Sequence, residues 1–472
     1  MSEIYVKMNE YSKAHAIFDE IITDISNNQI KDTNCLVRLY NSMGTCYSEQ
    51  KNFAKAEEYH LKGLQILQDV EDKDSDNYLS RLSTIYMDLA AIAISQNHID
   101  DAIKYSEMCI KNFEDLYEKN PEKYVNKLSA VLNNTSVLHE KIDDFSKAEE
   151  YYLKAYSMRK TSYEAYPEIY ALDYIQSINN LTGYYKKTSQ YDKALEFAYE
   201  NLSLSKQLFE KDNYVYRKSY AKALYNIVLL NMRLGEYSKA IEYLLSCKDQ
   251  EEILYRQDPV ANDISYAQLL DMLSDYYSKN KDFEKGLSFQ SKVVEIYENL
   301  YHKNHDAYAI EYANALHNAA LSYMEIRKLD TSLNIMEKAI NIISELQKSQ
   351  PRLSKEHKAS YLKVTASIYV NLQQWDKADS CYLQALKCYE ELVRIAPEAY
   401  YYDLVNAKYN YATYLVETGN NKAYDILTDV NKELSEMTSE TYDSNMQQCH
   451  FLTKFLMAQI QFLIFVKEFH QS

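Results

Sequence analysis

Apolar residues along the chain recur at helical spacing, in pairs of segments that short polar breaks separate. From Pro121, apolar side chains such as Leu128 and Leu132 follow at three- and four-residue intervals up to a polar break at Asp143, and the pattern resumes at Phe145. Apolar residues three and four positions apart lie on one face of an α-helix. The pattern predicts two helices of about 18 to 20 residues each, joined by a tight turn.

One short string recurs along the whole chain and gives these helix pairs a fixed period. The strong copies are EYSKA ending at Ala14, NFAKA at Ala56, DFSKA at Ala148, QYDKA at Ala194, EYSKA at Ala240, DFEKG at Gly286 and QWDKA at Ala378. With the weaker copies ending at Ala102, Ser332 and Ala423, the steps are 42 residues, then 46 seven times, then 45. A fixed period of this length is the signature of a repeat architecture.

All five prolines lie at a single phase of this period. They are Pro121, Pro167, Pro259, Pro351 and Pro397. Proline suits the first turn of a helix, where its missing N–H has no intrahelical partner to lose. Good N-cap residues precede this phase, namely Asp74, Asn120, Asp212, Asp258 and Asn304. Each repeat therefore opens its first helix here and begins its second helix at the aromatic residue of the recurring string.

Small residues recur at one position of each first helix, twelve residues before the end of the string. They are Gly44, Ala90, Ser136, Thr182, Ser274, Ala320 and Ala366. Tyrosines recur three residues later, at Tyr47, Tyr185, Tyr277, Tyr323 and Tyr369. Because two helices approach closely only where the facing side chains are small, we expect this position and the end of the string to pack against each other.

These residues resemble those of the tetratricopeptide repeat family. The match consists of a leucine on the first helix, the small residue, the tyrosine, the aromatic-x-Lys-Ala turn and a second small residue seven positions later, as in Leu132, Ser136 and Ala155. The usual period is 34 residues, so a period of 46 is similar to the lengthened repeats of kinesin light chains and bacterial arrays. A HEAT-type repeat is the alternative at this length, but the aromatic-x-Lys-Ala turn favours the tetratricopeptide reading.

The fold prediction is an all-α, right-handed α-solenoid of antiparallel helix pairs that fills residues 1–472. It comprises a half repeat at 1–30, nine full repeats at about 31–442 and a terminal half repeat at 443–472. The terminal helix, Phe451 to Val466, is apolar, whereas the outer face of a terminal repeat is normally polar. The hypothesis that follows is that the array either continues into a neighbouring chain by self-association through its open ends or is part of something longer.

Charge and composition narrow the classes of partner. The net charge of −17 repels nucleic-acid phosphates and anionic membrane surfaces. Seven cysteines without a C-x-x-C pair indicate a reducing compartment, and the N-terminus lacks a signal-peptide pattern. No apolar run reaches the length of about 20 residues that a membrane span needs. We expect a cytoplasmic protein that binds neither nucleic acid nor membranes.

The motifs of catalysis and cofactor binding are weak or missing. The six glycines are too far apart for a phosphate-binding loop. His302 and His305 are the only close histidine pair, and surface histidines are the simpler explanation. Ser157 with Lys160 matches S-x-x-K, but both lie on a predicted second helix, where the catalytic explanation is weak. We predict no enzyme, metal or cofactor.

The resemblance implies that the first helices line a concave surface and places their exposed residues at fixed offsets from the small residue. Asparagine recurs two residues before it, at Asn134, Asn180, Asn226, Asn318 and Asn410, and three residues before it, at Asn133 and Asn179. A side-chain amide donates and accepts hydrogen bonds, so a row of amides could pair with the backbone of an extended peptide. The alternative is that these asparagines fill gaps between helices or reflect codon usage.

Other residues at these offsets would supply local selectivity. They are Tyr225, His317, Asp271 and Asp275, of which the two aspartates make one repeat acidic and suited to a Lys or Arg of a ligand. The family also has a version that clamps a carboxylate with Lys and Arg on three successive first helices. Only isolated cations, Arg38, Lys186, Lys222 and Lys363, occupy such positions here, so we predict no such clamp.

The leading functional hypothesis is a non-catalytic scaffold that binds a protein segment or peptide along the concave surface. One alternative is a regulatory or sensor region of a larger signalling protein. Another is a self-assembling structural array. An enzyme carried within the repeats is the weakest alternative.

Overall fold

The computed structural model describes residues 5, 8, 10–27, 33–68, 73, 75–420, 422–435, 454, 457 and 458. Nineteen helices lie within these residues. They are α1 (Tyr11–Asn27), α2 (Thr33–Glu49), α3 (Phe53–Gln68), α4 (Asp76–Ser95), α5 (Ile99–Lys119), α6 (Pro121–Lys141), α7 (Phe145–Ala165), α8 (Pro167–Lys187), α9 (Tyr191–Lys211), α10 (Asn213–Arg233), α11 (Tyr237–Gln257), α12 (Pro259–Lys279), α13 (Phe283–Lys303), α14 (His305–Glu325), α15 (Leu329–Glu345), α16 (Pro351–Asn371), α17 (Trp375–Ile395), α18 (Pro397–Glu417) and α19 (Lys422–Ser435). The prediction of an all-α chain is confirmed, because the described residues contain no strand.

The helices follow the period seen in the sequence. From α6 onward every even-numbered helix begins 46 residues after the previous one, and from α3 to α17 every odd-numbered helix does the same. Even-numbered helices are therefore the first helices of the repeats and odd-numbered helices the second. Most span 21 residues, slightly more than predicted, because each helix uses almost all of its half of the period.

The turn within each repeat is the same short structure throughout the described chain. Its second residue is in the left-handed region, at Lys51, Asn97, Asp143, Ser189, Gly235, Lys281, Arg327, Gln373 and Gly419. The following N–H donates to a carbonyl five residues back, for example from Asn52 to Tyr47 at 2.9 Å. This six-to-one bond closes a Schellman-type helix end. Because only two of the nine residues are glycine, a chain poor in glycine still makes all of these turns.

The proline phase opens the first helices as predicted. The five prolines are the first residues of α6, α8, α12, α16 and α18. Asn120 accepts a hydrogen bond from the N–H of Lys123 at 3.1 Å, and Asp212, Asp258 and Asn304 cap their helices in the same way. The prediction for Asp74 is wrong: the N-cap of α4 is Ser75, which accepts from the N–H of Tyr78, and Asp74 itself lies outside the described residues.

The recurring string packs one helix of a repeat against the other. A Cβ atom added to Gly44 would lie 2.5 Å from Nε2 of His60, and one added to Gly286 would lie 2.8 Å from Oγ of Ser278. The Lys of the string lies over the recurring tyrosine ring, with Nζ of Lys285 4.1 Å from the ring centroid of Tyr277. The small residues therefore permit close approach, and the lysine adds a cation–π contact at the turn.

The chain divides into two compact units, residues 1–243 and 244–472. In the first, successive helices pack in sequence around a core that includes Phe113, Tyr124 and Leu132. In the second, the same arrangement surrounds a core that includes Tyr312 and Ile343. The units are named unit 1 and unit 2 below. The predicted half repeat at 443–472 and the helix Phe451 to Val466 lie outside the described residues, apart from 454, 457 and 458.

Candidate functional site

Three pockets in the described part of the chain share one phase of the repeat, between successive first helices. In unit 1, the α8–α10 pocket has a volume of about 180 Å³. In unit 2, the α12–α14 pocket has about 440 Å³ and the α16–α18 pocket about 360 Å³. In each first helix, the residue three positions before the small residue is named the −3 residue, and the residue two positions before it is named the −2 residue. Each pocket is lined by the −3 residue of one first helix and by the −2 residue of the next first helix. These pairs are Asn179 with Asn226, Asp271 with Asn318, and Lys363 with Asn410.

A hydrogen bond joins the −3 and −2 residues across neighbouring repeats. Nδ2 of Asn226 donates to Oδ1 of Asn179 at 3.0 Å in unit 1. Nδ2 of Asn318 donates to Oδ1 of Asp271 at 3.3 Å in unit 2. Both pairs are 47 residues apart because the contact advances by one period and one position. The predicted asparagine row is thus partly self-paired, and some of its amide groups hold neighbouring repeats together.

The second helix supplies a second partner for the −3 residue. Nδ2 of the buried Asn201 donates to Oδ1 of Asn179 at 2.8 Å. The buried His60 lies 2.9 Å from Oδ1 of Asn41, which is the −3 residue of its own repeat. Sequence reasoning missed both Asn201 and His60, although a polar residue on an otherwise apolar helix face was the available signal.

Unit 2 surrounds its −3 aspartate with a different electrostatic environment. Burial raises the pKa of Asp271, and hydrogen bonds from Asn318 and Gln290 partly oppose that rise. Asp275 forms an ion pair with Lys279 at 2.7 Å on the same helix. Glu325 also lines this pocket, so the α12–α14 pocket is predominantly acidic, as the sequence predicted for this repeat.

The α16–α18 pocket contains a partly buried lysine. Burial lowers the pKa of Lys363, and the nearby Asp403 opposes that shift. Asn410, its −2 partner, instead donates to Oδ1 of Asn406 on its own helix at 3.1 Å. This pocket therefore lacks the −3 to −2 hydrogen bond found in the other two.

The remaining predicted residues differ in how accessible they are. Asn134 is exposed, and Asn180 is half-buried in the wall of the α8–α10 pocket. Asn133 is only 7% exposed, and its Oδ1 has no hydrogen-bond partner within the described part of the chain. Tyr225 is half-buried beside Asn226. Asn134 is thus the exposed member of the row and Asn133 the buried one, and the others are half-buried, namely Asn179, Asn180, Asn226, Asn318 and Asn410.

His317 belongs more to the packing between repeats than to a pocket. Its ring stacks on that of Tyr361 with centroids 5.0 Å apart, and burial lowers its pKa. Nδ1 of His317 lies 3.3 Å from Oδ1 of Asn318. His317 therefore positions the side-chain amide of Asn318.

The lysines that the sequence treats as isolated are brought together in one case. Lys186 on α8 and Lys222 on α10 both line the α8–α10 pocket. They come from successive repeats, so nothing in the linear sequence places them at the same pocket.

The weak chemical motifs remain dispersed. The His302 and His305 rings lie 6.4 Å apart, and among the described residues no group of three or more His, Cys, Asp and Glu is placed to hold a metal ion. Nζ of Lys160 lies 3.5 Å from the hydroxyl of Tyr156. Burial raises the pKa of the Cys109 thiol to about 12, which suppresses its thiolate form.

Comparison with known proteins supports the resemblance to tetratricopeptide repeats. Residues 221–251 match the model of the tetratricopeptide repeat family. The apo form of RapI is 13% identical, with 83% of this chain and 96% of that chain covered and a TM-score of 0.51. BtubC from P. vanneervenii is 18% identical over 52% of this chain and 91% of its own, with a TM-score of 0.41.

A third solved structure is a putative kinesin light chain of Podosopora anserina with nearly identical TPR-like repeats. It is 16% identical, covers 47% of this chain and 96% of its own, and has a TM-score of 0.37. At 13% identity the likeness to RapI concerns the fold alone. No curated protein matches the sequence significantly. None of the described helices has the length and apolar character needed to cross a membrane.

Proposed function

Because the chain is built of tetratricopeptide-like repeats, a protein-interaction fold, we propose that it is a non-catalytic scaffold that binds an extended segment of another protein along its first helices. The observation that supports this best is the recurrence of pockets at one phase in both units, between successive first helices. A ligand that runs from repeat to repeat would meet the same kind of pocket at each step.

The side chains of these pockets suit a peptide backbone. Asn180 in the wall of the α8–α10 pocket, and Asn134 on the first helix α6 outside the three pockets, have amide groups without a side-chain hydrogen bond in the described part of the chain. A free amide offers a donor and an acceptor, as an extended backbone requires. The dispersed motifs and the buried thiols favour binding over catalysis, and the cysteine usage supports a cytoplasmic location.

Site-specific crosslinking tests which face makes the contact. A photoreactive amino acid replaces Asn134, exposed on the first helix α6, in one variant and Gln207, exposed on the second helix α9, in a matched control. We expect crosslinked partners from the Asn134 position and few or none from Gln207. Equal yields at both positions, or crosslinks from Gln207 alone, would contradict binding along the first helices.

A further inference from the structure

The α8–α10 pocket of unit 1 collects positive charge in a strongly acidic chain. Lys186 and Lys222 line it from successive first helices, and no aspartate or glutamate is among its lining residues. Both lysines are exposed, and neither ammonium group takes part in an ion pair or hydrogen bond within the described residues. The net charge of the chain is −17, so a pocket with two unpaired cations has a local charge opposite in sign to that of the whole chain.

Amide groups and open space complete the pocket. Asn226 uses one N–H to reach Asn179, which leaves its second N–H and its carbonyl oxygen for another group. Asn180 lies beside it, and its amide makes no side-chain hydrogen bond in the described part of the chain. A Cβ atom added to Gly183 would meet nothing within 4 Å, so this wall leaves room for a ligand side chain.

We infer that this pocket receives the carboxylate of an aspartate or glutamate side chain in the bound segment, an inference that rests on the proposed function. A carboxylate accepts hydrogen bonds at both oxygens, and the pocket offers two ammonium groups and amide N–H groups as donors. The α12–α14 pocket at the same phase of unit 2 carries Asp271, Asp275 and Glu325 against one lysine, Lys279, which pairs with Asp275, and it would repel such a group. The two pockets therefore discriminate between oppositely charged ligand side chains.

A displayed library of random decapeptides tests this inference on the full chain. The library is fused to its carrier through the peptide C-terminus, so that only side chains offer carboxylates. Selection runs in parallel on the wild type, on Lys186→Glu/Lys222→Glu and on Lys206→Glu/Lys211→Glu. The last pair lies on α9 outside the pocket and changes the net charge equally. Circular dichroism melting checks that all three proteins are folded.

We expect the wild type and the α9 control to enrich Asp or Glu at one peptide position, and the pocket variant to lose that preference. Peptides selected on the wild type should bind Lys186→Ala/Lys222→Ala about tenfold more weakly at low salt, since an exposed ion pair contributes up to about fivefold each. High salt should narrow the difference. Enrichment without an acidic position, or unchanged in the pocket variant, overturns the inference while leaving the proposed function intact. No enrichment on any of the three proteins contradicts the proposed function itself.

Discussion

Units 1 and 2 build the same inter-repeat contact from different chemical groups. In unit 1 the side-chain amide of Asn226 donates to that of Asn179, and two lysines line the same α8–α10 pocket. In unit 2 an amide donates to a carboxylate, from Asn318 to Asp271, and further acidic residues line the pocket. The period therefore fixes where a side chain lies, and the residue at that position fixes what charge the pocket presents.

The interiors of the two units differ in a similar way. In unit 1, Nε of the buried Arg159 donates to Oγ of Ser129 at 2.8 Å and Nη1 donates to Oγ of Ser177 at 3.2 Å. Four periods later, the corresponding residues in unit 2 are Ile343, Ala313 and Tyr361, and all three are buried in one hydrophobic core. The same position in the repeat thus holds a buried arginine with hydrogen bonds to serine hydroxyls in unit 1, and apolar side chains in unit 2.

The largest expected effect comes from moving the cation of unit 1 into unit 2. Ile343→Arg would bury a guanidinium where Ala313 offers no hydroxyl group, and an uncompensated buried charge costs about 4 kcal/mol of unfolding free energy. Urea unfolding followed by the fluorescence of Trp375, the single tryptophan, measures unit 2 directly. Ile343→Met should cost less than about 1.5 kcal/mol. An unchanged urea midpoint for Ile343→Arg would refute the contrast between the two interiors.

The second prediction concerns His60, one of the histidines that unit 1 buries. Burial lowers the pKa of His60 from 6.5 to about 4, so the unfolded chain binds this proton first as the pH falls. The stability that neutral His60 contributes is therefore present above pH 6.5 and lost as the pH falls towards 4, by up to about 3 kcal/mol. Unit 2 has Met336 at the same phase, also buried.

His60→Met should remove this acid sensitivity. Burial raises the pKa of the neighbouring Asp88 to about 6, which acts in the opposite direction because the folded state then holds its proton more tightly. Asp88→Asn should therefore expose the full acid sensitivity of His60. Hydrogen exchange of α3 peptides at pH 7 and pH 5, compared among wild type and both variants, measures these changes. Identical pH dependence in all three proteins would refute the assignment.

The third prediction converts the unit 2 contact into its unit 1 form. Asp271→Asn keeps an acceptor for Asn318 and removes a carboxylate whose pKa burial raises. Because the native state disfavours ionised Asp271, the variant should be more stable at pH 7 by about 1 kcal/mol. The gain should shrink as the pH falls and wild-type Asp271 becomes protonated. Urea unfolding by Trp375 fluorescence checks this, and Asp275→Asn, which removes an exposed ion-paired carboxylate, is the control. A variant less stable than wild type would show that the charge of Asp271 is needed.

The sequence predicted the parts of the molecule that repeat and missed the parts that vary. The phase of Pro121 and its relatives predicted where the first helices begin, because a missing N–H and a preceding cap act locally. Asn201 and His60 escaped prediction because each meets its partner across a helix pair, at a separation that only the packed structure defines. Lys186 and Lys222 were visible but 36 positions apart, so nothing in the linear pattern joined them.

The turns within the repeats allow the finest comparison, because unit 1 contains Gly235 and unit 2 contains Gln373 at equivalent left-handed positions. Their φ angles are +76° and +56°. A residue with a Cβ atom is disfavoured there by about 1 kcal/mol relative to glycine. Gly235→Ala should therefore destabilise the protein by about 1 kcal/mol, and Gln373→Gly should stabilise it by about 0.5 kcal/mol, since greater freedom of the unfolded chain offsets part of the relief.

Thermal melts of both variants against wild type measure this pair of effects, with Gln374→Gly as the control one residue outside the left-handed position. That control should lose stability, because its backbone gains freedom in the unfolded chain without relief of strain in the native turn. If Gln373→Gly and Gln374→Gly lose stability equally, the left-handed residue carries no strain. The low glycine content of the chain would then reflect turns that tolerate any residue, in unit 1 as in unit 2.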